Sequence, residues 1–131
     1  MSTPAESQRN AEYFQALVPA TAQDTDGMGK SHIVAFTNTA GDSQTFHSDT
    51  TLVGLFPTQD CWVLVKESGT ASAAAIPSVG AAPASSSKTA AMFLPGGVQA
   101  FIGIPKREGK TFALSVIRNS ADGNLYVTEA R

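Results

Sequence analysis

The sequence predicts an all-β fold: an antiparallel β-sandwich, jelly-roll-like, with an N-terminal arm and one long Ala/Ser/Pro-rich loop. Three observations predict it. Eight short runs rich in β-branched and aromatic residues recur from Ser31 onward, each closed by a turn signal. The 131 residues are the length of one domain and suffice for a hydrophobic core without staples. Several of the runs are apolar on both faces, so their outer side is covered by the long loop, the N-terminal arm or another subunit.

Residues 1–30 read as the arm. They are polar, with Asp24, Asp26, Gly27 and Gly29 as breakers, and their one apolar cluster is Tyr13, Phe14, Leu17 and Val18. That spacing suits one helical turn or an extended segment stopped by Pro19. Residues 31–131 read as the sandwich. His32–Thr37 is the first strand, Asn38–Asp42 a loop, and Gln44–His47 and Thr50–Phe56 the next two strands. Pro57–Asp60 turns the chain into Cys61–Lys66, the strongest strand, with Cys61, Val63 and Val65 on one face and Trp62 and Leu64 on the other. Residues 68–88 change character: Gly69, Pro77, Gly80 and Pro83 exclude a long helix or a central strand. A loop of that length is usually functional or mobile, and its apolar anchors are Ile76 and Val79. Thr89–Leu94 and Gln99–Ile104 flank the turn Pro95-Gly96-Gly97, with Phe101 facing away from Ala100, Ile102 and Ile104. Lys106–Lys110 forms a basic hairpin tip before Phe112–Ile117. Asp122-Gly123 carries the residue pair favoured in hairpin turns, and Leu125–Thr128 closes the domain.

Charged residues are 15% of the chain, against ~25% in ordinary domains. Such a surface is cheap to desolvate, which suits permanent contact with other subunits. A net charge of −2 gives no electrostatic footprint for nucleic acid. The distribution is uneven: seven acids against two bases in residues 1–60, seven bases against four acids in 61–131. Folding either evens this out or leaves complementary faces. The first residues show neither a basic n-region nor an apolar h-region, and no apolar run approaches the ~18 residues of a membrane span. With a single cysteine, the expectation is folding in a reducing cytoplasm.

Candidate chemistry is thin, so no catalytic, metal or cofactor site is expected. His32 and His47 with Asp42 or Asp49 could ligate a divalent metal, but no close ligand spacing supports it. Ser85-Ser86-Ser87-Lys88 matches a Ser-x-x-Lys nucleophile motif without the helix start or partner motifs that chemistry needs. Cys61 sits in an apolar strand, where a buried thiol is inert.

The stretch from Gln59 to Glu129 resembles a group of small structural proteins of tailed bacteriophages. The residues that carry the likeness are Cys61-Trp62 opening a strand, a small-residue loop, Met92-Phe93-Leu94-Pro95-Gly96-Gly97 with Phe101 following, and Ala121-Asp122-Gly123-Asn124-Leu125-Tyr126-Val127-Thr128-Glu129. The loop at 68–88 is longer than in that pattern. The resemblance implies a virion component assembled in the host bacterial cytoplasm, a capsid decoration (cement) protein bound between major capsid subunits as a small homo-oligomer such as a trimer. Its alternatives are a tail or head–tail connector subunit and a carbohydrate-binding β-sandwich module. The expected contact elements are the arm around Tyr13, Phe14 and Leu17, the loop around Ile76 and Val79, and the basic tip at Lys106 and Arg107.

Overall fold

A computed structural model describes residues 31–78 and 88–130. Tyr13, Phe14, Leu17 and Val79, and with them the arm and the centre of the long loop, lie outside the described residues. Among the described residues, eight strands form two four-stranded antiparallel sheets: β1 (Ser31–Phe36), β2 (Gly41–Asp42), β3 (Leu52–Pro57), β4 (Cys61–Glu67), β5 (Met92–Leu94), β6 (Ala100–Gly103), β7 (Phe112–Arg118) and β8 (Gly123–Ala130). Sheet A has the order β1-β8-β3-β6 and sheet B the order β2-β7-β4-β5. The predicted all-β sandwich is what the chain forms.

The pairing pattern has a simple logic. β4 pairs with β5, β3 with β6, β2 with β7 and β1 with β8, as in one long hairpin bent at the loop after Glu67. The ribbon then rolls so that β8 also meets β3 and β7 also meets β4. Inward side chains of both sheets fill the space between them: Val34, Phe36, Val53, Leu55, Val63, Leu94, Leu114, Val116, Leu125 and Val127 are all buried. Cys61 joins this core fully buried, and burial, with Asp60 beside it, pushes its thiol up to about 12.

Two expected hairpins do not exist. The Asp122-Gly123 turn carries the chain from β7 in sheet B to β8 in sheet A, and the Lys106–Lys110 tip carries it from β6 in sheet A to β7 in sheet B. At the first of these, Asn124 is already laddered to β3: the Thr58 N–H donates to the Asn124 carbonyl (2.9 Å) and the Asn124 N–H to Thr58 Oγ1 (2.9 Å). Gly123 is therefore a strand residue, paired with Phe36. The strand expected at Gln44–His47 also shifts. Its ladder begins at Gly41–Asp42 against β7 and continues irregularly through Ser43 N–H to the Leu114 carbonyl and Phe46 N–H to the Phe112 carbonyl, both 2.8 Å.

The uneven charge distribution is used inside the molecule. Lys66 pairs with Asp42 at 2.6 Å and Lys106 with Asp49 at 3.5 Å, each joining a base of the second half to an acid of the first.

Candidate interaction surface

The two sheets treat their outer faces differently. On sheet B, residues 70–78 fold back as a strap across β4 and β7. Ala74 is buried there, and its N–H donates to Ser115 Oγ at 2.9 Å. Lys66 Nζ, buried beneath the same segment, donates to the Thr70 carbonyl at 2.9 Å, and Thr89 Oγ1 to the Ala75 carbonyl at 2.8 Å. An outward-facing lysine at the centre of a sheet stays satisfied because Asp42 and a strap carbonyl replace its water. The strap thus covers part of its own sheet, around Lys66 and Ser115, while Phe93, opposite Trp62 on the same outer face, stays 41% exposed.

Sheet A has no such cover among the described residues. Side chains alternate along β1, β8 and β3, so Val34, Leu125 and Leu55 are buried inward while Ile33, Tyr126 and Phe56 point out and stay exposed. Register aligns the outward three: Ile33 is opposite Tyr126, and Tyr126 is opposite Phe56. The result is a continuous apolar row across three strands, with Ile33 59%, Tyr126 44% and Phe56 38% exposed. The rings of Phe56 and Tyr126 are 6.5 Å apart, tilted by 53°. Phe101, half exposed on β6, extends the patch by lying over Gly54, where an added Cβ would meet its ring at 3.4 Å. An apolar row rimmed by Ser31, Asn124 and Thr128 is the form of a protein contact surface.

The expected contact residues fare differently. Ile76 is 40% exposed on the strap over sheet B, away from the sheet A row. Lys106 and Arg107 are exposed but paired, Lys106 with Asp49 and Arg107 Nη1 with Glu67 Oε1 at 3.2 Å. Lys106 and Arg107 are thus engaged within the chain. Ile33, Phe56 and Tyr126 were not singled out from sequence; the signal was present as their alternation with buried neighbours, but only register shows that they form one row.

A polar cluster closes one end of the sandwich. Glu129 is buried, and its Oε1 accepts from the His47 N–H and from Thr50 Oγ1, each at 2.7 Å. His32 Nε2 accepts from the Gln44 N–H at 3.3 Å, and His47 Nδ1 from the Asp49 N–H at 3.0 Å. Both histidines therefore act as acceptors for the backbone of the β2–β3 connection. Among the described residues, no three His, Cys, Asp or Glu side chains gather as a metal would require. Burial lowers the pKa of His32, partly opposed by the Glu129 carboxylate. The unfolded chain then binds more protons than the folded one below the ordinary value of 6.5, so stability falls as the solution is acidified through that value and below. The urea midpoint is expected to drop between neutral pH and about pH 5, and His32→Gln is expected to flatten that slope.

Comparison with protein-family models, with curated proteins and with solved structures gives no match for this chain.

Proposed function

We propose that this chain is a structural protein of a tailed-phage virion, most simply a capsid decoration (cement) protein that binds between major capsid subunits. The observation that carries the reading is the apolar row Ile33–Tyr126–Phe56, extended by Phe101, on a sheet face that nothing among the described residues covers. A capsid shell bears internal pressure, and apolar area buried across two subunits, at ~25 cal/mol per Å², raises the cost of parting them. The rolled hairpin of eight strands reads as jelly-roll wiring, an architecture used in capsid and lectin domains alike. It supports the reading only by analogy. The likeness of residues 59–129 to small phage structural proteins points the same way. A tail or head–tail position would use the same surface.

The glycan-binding alternative draws on the same aromatics. The chain carries one Trp and two Tyr, thin as sugar-stacking platforms, which favours a protein contact. Co-sedimentation with expanded shells that lack the protein tests the proposal. The wild type is expected to pellet with the shells, and Phe56→Lys to bind at least about tenfold more weakly, as for a contact-centre residue. No pelleting of the wild type, or undiminished binding by Phe56→Lys, would overturn it.

A further inference from the structure

The four sheet edges are not equally protected. β2 has two residues, β5 has three and runs into Pro95, and β6 has four and is followed shortly by Pro105. Short strands and prolines are how sheets prevent edge-to-edge pairing. β1 has neither: Ser-His-Ile-Val-Ala-Phe is six residues long, with no proline, glycine, lysine, arginine, aspartate or glutamate. Among the described residues, only β8 pairs with it.

The ladder fixes which groups of β1 point outward. Asn124 and Ala130 of β8 accept from Thr58 and Thr51 N–H, so the even-numbered residues of β8 offer their backbone groups to β3. Alternation leaves Leu125 and Val127 to bond β1, at their partners Val34 and His32. Ser31, Ile33 and Ala35 consequently aim their N–H and C=O groups away from the sheet. The series ends at Thr37, whose carbonyl accepts from the Arg118 N–H at 3.0 Å.

We propose that a second copy of this chain completes the edge, the two β1 strands pairing antiparallel about a twofold axis at Ile33. Only odd-numbered residues carry outward backbone groups, and this axis matches Ile33 to Ile33 and Ser31 to Ala35 of the second copy, so every such group finds a partner. Neither strand brings a formal charge to oppose its twin, because the one titratable side chain, His32, points inward. The axis also joins the two outer rows into one apolar ribbon, Phe56–Tyr126–Ile33 continuing into its symmetry mate. The inference deepens the assembly reading, since a doubled ribbon is a longer contact for a shell. An isologous edge contact uses up both edges and closes at two copies, not at the three that the phage resemblance implies.

Five residues a side make a small contact, so sedimentation should span about 1 to 100 µM protein. The full-length wild type is expected at twice 13.6 kDa, Ile33→Lys at a single copy, and Phe101→Lys, distant from the edge, still at two. Ile33→Cys should oxidise to a disulfide-linked pair, because Cys61 is buried and the axis sets the two new thiols side by side. Unchanged far-ultraviolet circular dichroism checks that the variants fold. A wild type at one copy throughout, a mass of three copies, a dimer that survives Ile33→Lys, or no cross-link at Ile33→Cys each overturns the proposal. If the wild type runs as a single copy yet pellets with capsid shells, the pair fails and the shell reading stands; if the pair forms and nothing pellets, the reverse holds.

Discussion

Phe36→Ala is expected to remove about 3–5 kcal/mol of folding stability, the cost of deleting a buried aromatic ring. For a domain whose whole margin is about 5–15 kcal/mol, that is a large share. Phe36 is 1% exposed on β1, and its ring occupies the space a side chain would take at its partner across the ladder, Gly123. A Cβ at 123 would lie 2.8 Å from Phe36 Cζ, 2.8 Å from Thr58 Oγ1 and 3.1 Å from Gln59 Cβ. Thr58 cannot simply turn away, because its hydroxyl accepts the Asn124 N–H. Gly123→Ala alone is therefore expected to cost about 1–3 kcal/mol through overpacking. With the ring gone, the same alanine should cost less, and the double mutant should be more stable than the sum of the singles implies by about 1 kcal/mol. Urea unfolding of the four proteins gives the coupling directly. Additivity within ~0.5 kcal/mol would mean that Thr58, and not the ring, sets the need for glycine at 123.

That glycine also marks what the sequence could and could not say. Strand positions were legible because the period-two pattern and turn residues are local: six of the eight expected strands overlap in place with β1 and β3–β7, and Leu125–Thr128 lies inside β8. Turn residues report that the chain reverses, not which sheet receives it. Asp122-Gly123 looked like a hairpin because its chemistry is hairpin chemistry; the crossing to sheet A is decided by pairing with Thr58 and Phe36, dozens of residues away. The double apolar faces were legible too, with the long loop among their expected covers, but which strands it would lie on was not. Ala74 can lie on Ser115 because it is small, a fact visible only once β4 and β7 are neighbours. The candidate surface suffered most. Ile33, Phe56 and Tyr126 stand far apart in sequence, and a row exists only after three strands are set in register. Basic residues at 106 and 107 advertised themselves in sequence, yet their acidic partners at Asp49 and Glu67 come from other elements.

Glu129→Ala is expected to cost about 2–4 kcal/mol, more than its single charge suggests. The alternation that turns Leu125 and Val127 inward turns Glu129 inward as well, so a carboxylate sits at the end of the core at 6% exposure. It is tolerated because it accepts at 2.7 Å from the His47 N–H and from Thr50 Oγ1, tying the β2–β3 connection to the last strand. Truncation leaves the His47 N–H without this acceptor in a part-buried place, takes one bond from Thr50, and opens a void. Glu129→Gln keeps both the shape and an acceptor oxygen, and should cost only about 1 kcal/mol, the loss of charge assistance. The pair of variants separates hydrogen bonding from packing by urea midpoint at neutral pH. Acidification adds a second reading. The Glu129 carboxylate raises the His32 pKa against the lowering by burial, so removing its charge lets that pKa fall further. The gap between folded and unfolded values then widens, and Glu129→Gln should lose more stability than the wild type between neutral pH and about pH 5. An equal or smaller acid-induced loss would show that the carboxylate does not act on His32, and that the two polar groups merely share an end of the sandwich.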